Sequence, residues 1–397
     1  MNKLSPLSAN EWQFIEQYWS LSPSEAVLKF SRHKKYGHLL PHLLSRQKLQ
    51  DKQPAWVKHP ELLFTNPLSA EQCSSELTAM LKGRLMGTGE RCIDLTGGLG
   101  ADTAIFAKYF KEVHYVEMQS DLLAQTKHNF EALGIKNCVF HHADAASFLQ
   151  NNLTLKADLV YIDPARRNES GQKTYHFSDC SPNVLELWPS LRHLATRLLI
   201  KTAPFLDISA ALRELPQPAQ IYVLAIRNEC KEVLYCLGEG IEVQKCQTFN
   251  IQTAEQEQHF EFNLQEESFL PEASISEPQS YIYDPNVAIL KAGAFKSLAQ
   301  KMGLSKLHPH THVYTHQTLI ADFPGRIYKL LNILKPEKGI FSEPQATFLL
   351  RNSPLNLTEL YQKMKLKPGG TSLLMSVRLA SNEHKVLHLQ PLSAKPS

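Results

Sequence analysis

The chain has 397 residues, 43% apolar and 20% charged, with a net charge of +3. That length exceeds what one core usually covers, so two or three domains are expected, and the composition excludes a disordered chain. Seven scattered cysteines without a C-x-x-C argue against a disulfide framework or a zinc site. The N-terminus lacks a leader-like order and no apolar run has spanning length, so a soluble, cytoplasmic protein without a membrane partner is expected.

In chain order, residues 1–68 read as helical. Ser8 with Glu11 forms a capping box, and Ser22, Pro23 and Glu25 form a second, with proline at the first helical position. The basic run Arg32, His33, Lys34, Lys35 suits a solvated helix end or a phosphate contact. Ser69–Leu85 reads as one helix leading into a sheet.

Arg91–Asp102, RCIDLTGGLGAD, is the informative stretch. Cys92, Ile93 and Leu95 suit a buried strand, the glycines Gly97, Gly98 and Gly100 break it, and Asp102–Phe110 returns to helical spacing. A glycine turn between strand and helix lets the backbone approach a ligand that a side chain would block. From Gly98 no third glycine completes G-x-G-x-x-G, and no G-x-x-x-x-G-K-[ST] occurs, which argues against a dinucleotide and against a phosphate loop of the NTPase type. Asp94, on the strand itself, suits a ligand with a cationic or hydrogen-bond-donating end, such as an amino acid.

Further strands follow at Val113–Val116, Asn137–His141 and Ala157–Ile162. They deliver Glu117, Asp144 and Asp163 at their ends, on the edge where open α/β sheets bind ligands. Glu117 suits ribose hydroxyls and Asp144 an adenine amino group; each acid could equally be a helix cap. Helices at Asp179–Leu187 and Ser190–Arg197, split by Pro189, precede strands at Leu198–Lys201, Ile221–Ile226 and Glu232–Cys236. A hairpin at Val243–Phe249 and His259–Phe262 completes this α/β alternation, which calls for a seven-stranded sheet, mostly parallel.

Charge then shifts: residues 251–285 hold eight acids and no Lys or Arg, whereas residues 323–397 hold eleven Lys plus Arg against four acids. Between them, a helix over Val287–Ala299 and a segment His312–Tyr314 suggest a small α+β unit. The basic tail reads as strand, helix, strand, strand, with Arg351, Lys363, Lys365 and Lys367 near its turns. Such lysines either grip nucleic-acid phosphates or simply solvate a face.

Asp94–Gly100, Glu117, Asp144 and Asp163-Pro164 resemble the ordered motifs of class I S-adenosylmethionine-dependent methyltransferases. The finer pattern DLTGGLGAD, YIDPARR, DCSPN and YDPNVAILKAGAF resembles a bacterial subfamily with a C-terminal THUMP-like domain. The resemblance implies an α/β, Rossmann-like, seven-stranded methyltransferase domain over 69–265, an N-terminal helical segment over 1–68, a small α+β connecting unit over 280–322, and a basic THUMP-like α+β domain over 323–397. It also implies S-adenosylmethionine as cofactor, held by Asp94, Thr96, Gly97, Gly98, Gly100, Glu117, Met118, Asp144 and Ala145. Thr96 stands where many members have the first glycine.

Asp163-Pro164 is similar to the D-P-P-[YF] loop of amino-methylating enzymes, which implies that this pair orients an exocyclic amine. Ala165 and Arg166 replace the second proline and the aromatic, so base stacking falls to Tyr161, Tyr175, His176 or Phe177. Arg166, Arg167 and Lys173 would meet substrate phosphates, as would Arg351, Lys365 and Lys367 in the tail; the arginines could instead pair with Asp179 or Glu186. RNA is the implied partner and a nucleobase nitrogen the implied acceptor. The alternative is a cofactor-binding, RNA-interacting protein without methyl transfer.

Overall fold

The computed structural model describes residues 6–166, 176–239, 241 and 245–392. The chain divides into two compact units, one formed by residues 1–220 with 232–242 and the other by 221–231 with 243–397.

The first unit opens with helices, two of them started by the expected capping boxes at Ser8 and Ser22. Their apolar faces gather Phe14, Ile15, Ala26, Phe30, Leu39 and Leu43 into a core. Arg46 is fully buried, and its guanidinium donates to the carbonyls of Val57, His59 and Leu62. The segment continues onto the sheet, where Leu49, Val57, Leu62, Phe64 and Ala70 pack with Leu99 and Leu122. The helix expected over Ser69–Leu85 is broken into Pro67–Gln72 and Glu76–Met86, because Ser75 leaves the helix to accept from Thr78 N as a cap.

The central strands are β1 (Gly89–Asp94), β2 (Phe110–Glu117), β3 (Cys138–His142), β4 (Ala157–Ile162), β5 (Ala195–Thr202), β6 (Gln220–Ile226) and β7 (Glu229–Gly238). In the first unit β3, β2, β1, β4 and β5 run parallel in that order, and β7 pairs antiparallel with β5. Strands covered on both faces read as continuous apolar runs, and Leu159, Val160, Tyr161 and Ile162 of β4 are accordingly buried. All seven strands expected of the sheet form, six here and β6 in the second unit. Before β5, a single helix, Val184–Leu194, replaces the expected pair. Asn183 caps it and Pro189 lies inside it, so the proline does not act as a stop.

In the second unit β6 pairs parallel with β8 (Lys245–Ile251), which pairs antiparallel with β9 (Glu257–Asn263). A separate seven-stranded sheet is built from β10 (Tyr281–Pro285), β11 (Ser305–His308), β12 (Thr311–His316), β13 (Gly325–Leu334), β14 (Gln345–Arg351), β15 (Lys367–Arg378) and β16 (His384–Pro391). Its order is β11-β12-β10-β13-β16-β15-β14. Ile282, Leu307 and Val313 share one core with Met375, Val377 and Leu387, so residues 322–323, where the sequence changes charge, fall in a connection between two strands of one sheet rather than between domains. The helix expected over Val287–Ala299 is two, Val287–Ala292 and Phe295–Met302, because Gly293 at φ +74° ends the first. No helix among the described residues is long and apolar enough to cross a membrane.

The turn after β1 depends on close approach. Gly100 sits at φ +78°, and a Cβ there would lie 2.7 Å from both Phe130 and Thr126. Gly134, at φ +71°, has open space around it. Gly134→Ala should therefore cost only left-handed strain, about 1–2 kcal/mol, whereas Gly100→Ala adds overpacking of roughly 1–3 kcal/mol more. Chemical denaturation of the two variants measures the difference; equal losses would mean that the Gly100 contact with Phe130 and Thr126 is unimportant.

Candidate functional site

The parallel order β4-β1-β2-β3 brings Asp163, Asp94, Glu117 and Asp144 to the carboxyl ends of four adjacent strands, on one edge of the sheet. The turn 95–100 ties three of these ends together. Gly98 N donates to Glu117 Oε2 at 3.0 Å, Gln119 N donates to Glu117 Oε1 at 2.8 Å, and Asp163 N donates to Thr96 Oγ1 at 2.7 Å. Tyr115 OH braces the turn from below by donating to the Gly98 carbonyl, at 2.5 Å. A Cβ on Gly97 would lie 2.1 Å from the Tyr115 ring, so that glycine is required by packing. A Cβ on Gly98 would meet nothing closer than the Thr96 carbonyl at 3.8 Å, so this peptide borders open space.

The four acids differ in what they can offer a ligand. Asp94 is 1% exposed, accepting from Thr96 N at 3.0 Å and Thr103 Oγ1 at 2.6 Å, so it organises the turn from inside. Burial, with Asp102 and Asp163 nearby, pushes its carboxyl up to about 7 against the pull of those hydrogen bonds. Glu117 is mostly buried, but its two oxygens accept only two backbone N–H groups, which leaves lone pairs for hydroxyl donors. Asp144 is exposed and caps the helix Ala145–Asn151, accepting from Ser147 N and Ser147 Oγ; these bonds hold its carboxyl low. Met118, 68% exposed, and buried Ala145 flank these two acids in sequence.

Asp163 carries the group that sequence reasoning missed. Lys201 of β5 pairs with Asp163 Oδ2 and donates to Ser74 Oγ at 3.1 Å. Ser74 Oγ donates to Asp102 Oδ2 at 2.7 Å, and Tyr161 OH donates to the same oxygen at 2.8 Å. Lys82, fully buried, is 2.8 Å from both Asp102 and Glu232, and Thr78 donates to Glu232 Oε1 at 2.7 Å. Two ammoniums thus face three carboxylates. Burial raises Asp163, with Lys201 opposing. Burial acts the same way on Asp102, but Lys82 and Lys201 outweigh it and hold that carboxyl low. Lys201 is pushed up, because Asp163, Glu232 and Asp102 overcome the cost of burial. The sequence signal for this cluster was faint: a lone lysine in an apolar helix and another at the end of LLIK, each dependent on partners distant in the chain.

The stacking candidates fare unevenly. Tyr161 is buried with its hydroxyl spent on Asp102, and Phe177 is buried against Tyr235, so neither faces a base. His176 is exposed and pairs through Nδ1 with Glu214 at 2.6 Å. Arg167, Lys173 and Tyr175 lie outside the described residues, and Arg166 is described in backbone only, in a two-residue ribbon with Cys180–Ser181. In the second unit, Arg351 makes a bidentate pair with buried Asp284, at 2.7 and 2.8 Å, rather than standing ready for a phosphate. Lys365 and Lys367 are exposed at the end of the helix Leu357–Met364 and the start of β15.

The sheet thus carries antiparallel β7 beside β5 and acids at adjacent strand ends, with no G-x-G-x-x-G at its first turn. Comparison with known proteins agrees. Residues 89–250 match the family described as RNA cap guanine-N2 methyltransferase, and residues 281–324 match a ferredoxin-like domain. A crystal structure from Porphyromonas gingivalis W83, provisionally assigned as a methyltransferase, superposes with a TM-score of 0.83 at 28% identity, covering 97% of this chain and 98% of that one.

The chain is related to the class I S-adenosylmethionine-dependent methyltransferases. An uncharacterized S-adenosylmethionine-dependent methyltransferase of Mycobacterium tuberculosis is 25% identical over 253 residues, 62% of this chain and 64% of that protein. A 23S rRNA (uracil(1939)-C(5))-methyltransferase of Shewanella sp. MR-4 is 37% identical over 79 residues, 20% of this chain and 18% of its own. The chain thus spans between about a fifth and just under two thirds of these curated relatives. Its methyltransferase fold is of the S-adenosylmethionine-binding kind, and the donor set fits that ligand: a carboxylate with free lone pairs at the second strand end and open space beside the glycine turn.

The Asp94 environment generates a pH prediction. Its carboxyl is raised from 3.8 to about 7, so the folded state binds more protons than the unfolded state between those values. Stability contributed by the protonated group is present below about 4 and is lost as pH rises through about 7. Asp94→Asn should therefore gain stability relative to the parent as pH rises from 5 to 8, by about 2.7 kcal/mol, since only the two units between 5 and 7 count at 1.36 kcal/mol each. Parallel stability curves for the two proteins would show that Asp94 is charged throughout.

Proposed function

We propose that this protein transfers a methyl group from S-adenosylmethionine to an exocyclic nitrogen of an RNA nucleobase. The observation that carries the proposal is the hydrogen bond from Asp163 N to Thr96 Oγ1, which joins the residue expected to hold the acceptor to the turn expected to hold the cofactor. The glycine turn, Thr96 and Glu117 would hold S-adenosylmethionine, and Asp144 would meet the adenine end if it released Ser147. When bound, that cofactor supplies an electrophilic methyl group on a sulfonium. Glu117 and the net negative cluster behind Asp163 make the strand edge a favourable place for such a cation.

For the acceptor, Asp163 Oδ2 is committed to Lys201, which leaves Oδ1 to accept one N–H of an amine. The Pro164 carbonyl would accept the second. Two such acceptors turn the nitrogen lone pair toward the methyl carbon, and holding both partners at near-attack distance supplies most of what in-line transfer needs. Lys201 acts through Asp163, opposing the effect of burial on its carboxyl and holding Oδ2 in place. RNA as substrate is supported by the descriptions of the family that matches residues 89–250 and of the Shewanella relative. The amine in preference to a carbon acceptor is supported by the Asp163-Pro164 pair.

Asp163→Ala should reduce methyl incorporation into bulk RNA by at least a hundredfold while S-adenosylmethionine affinity, measured by calorimetry, changes less than twofold. Glu117→Ala should do the reverse to binding, removing one or more charge-assisted bonds of roughly 1.5–3 kcal/mol each. Turnover surviving in the first variant would end the amine-orienting role; undiminished affinity in a folded second variant would remove Glu117 from the cofactor site.

A further inference from the structure

The motif YDPNVAILKAGAF, Tyr283–Phe295, takes no part in the site described above, yet it builds the wall of a separate polar cavity. This cavity, about 110 Å³, lies within the second unit and is lined by Asp284 and Asn286 of that motif, by Asn228, Asn250 and Gln258, and by Arg227 and Arg326. Asn250, Asp284 and Asn286 are each 2% exposed, an unusual concentration of polar side chains to bury.

Their orientations are fixed by bonds on one side only. The side-chain oxygen of Asn228 accepts from Val287 N, that of Asn250 from Asn228 N, and that of Asn286 from Ala288 N and Ile289 N. Amide oxygens pinned in this way leave the NH2 groups as the outward functionality. Asn250 and Asn286 each spend one N–H on Gln258 Oε1, at 3.0 and 3.1 Å, and keep another. Both oxygens of Asp284, the one acid in the lining, are covered by Arg351. The cavity, which Gln252 also lines, therefore offers amide donors and positive charge, and the side-chain acceptors of Asn228, Asn250, Gln258, Asp284 and Asn286 are engaged.

Arg227 adds a second observation. It occupies the two-residue turn between β6 and β7 at φ +49°, next to Asn228 at φ +65°. A turn of this type favours Asn, Asp or Gly at both positions, and a long side chain there is held at an energetic cost. The Arg227 side chain is exposed and has no hydrogen-bond or ion-pair partner among the described residues. An arginine held in a costly conformation with no partner among the described residues, over a pocket of amide donors, is arranged for an external anion.

We propose that this cavity binds a phosphate group, and that the phosphate belongs to the backbone of the RNA acceptor; the second half of this inference rests on the RNA reading above. Planar guanidiniums and amide N–H groups match phosphate oxygens, and the site would add affinity without reading sequence.

The test compares the full-length protein with the double variant Arg227→Gln/Arg326→Gln and with a charge-matched control, Lys335→Gln/Lys338→Gln, in the same unit. Fluorescence anisotropy with a labelled single-stranded RNA of mixed sequence, at several salt concentrations, measures RNA affinity. Calorimetry measures binding of S-adenosylmethionine and, separately, of inorganic pyrophosphate. The arginine variant should bind RNA at least tenfold more weakly, with a salt slope smaller by about 0.7 for each phosphate that is no longer neutralised. The control should change less than twofold, and S-adenosylmethionine affinity should be unaltered in all three. Equal RNA affinity in parent and arginine variant, or an equal loss in the control, would overturn the site. A parent that binds S-adenosylmethionine but not RNA would overturn the RNA occupant; pyrophosphate binding abolished in the arginine variant would then assign the cavity to a small phosphate compound, and no pyrophosphate binding would overturn it as a phosphate site.

Discussion

A cluster of five charges under the sheet edge, four of them buried, sets the terms for the rest of the first unit. Lys82, Lys201, Asp102, Asp163 and Glu232 come from the helix Glu76–Met86, from β5, from the helix Ala101–Tyr109, from the end of β4 and from β7. Burying a single ion costs several kcal/mol even after relaxation, so none of these elements can shift without leaving a charge unpaired. The cluster does not need to add stability to be decisive. Its geometry fixes where Asp163 stands relative to the glycine turn, because Ser74 links both lysines to Asp102, and Tyr161 ties Asp102 to β4 just before Asp163.

What was legible in the sequence was local. The central strands β1, β4, β5 and β6 were visible because a covered parallel strand is written as an apolar run, whereas β3 at the edge and antiparallel β7 were placed by the alternation around them. The four acids were visible because they follow those runs directly, at the edge where such sheets bind ligands. The capping boxes at Ser8 and Ser22 were visible for the same reason, since the bonding groups are three residues apart. Boundaries failed where a cap or a glycine competes with helical spacing, as at Ser75 and Gly293, and where Pro189 sits inside a helix that continues through it.

The site was legible only in outline. Asp94 and Glu117 occupy equivalent strand-end positions, yet one faces the interior and the other keeps lone pairs to spare. That difference arises from Thr103, a side chain on the following helix that no spacing rule singles out. Arg351 illustrates the same gap in the second unit: it reads as a free cation in a basic tail, but β14 and β10 belong to one sheet in which its guanidinium meets Asp284. Pairings between residues more than sixty positions apart are not encoded in any window of the sequence.

The central claim is that the strand-end carboxylates and the glycine turn form one S-adenosylmethionine pocket. Calorimetric titration of the unmodified protein with S-adenosylmethionine, beside an identical titration with NAD, tests it most directly. The account predicts saturable one-to-one binding of S-adenosylmethionine and no heat of binding from NAD. Binding of NAD, or no binding of S-adenosylmethionine by folded protein, would contradict it.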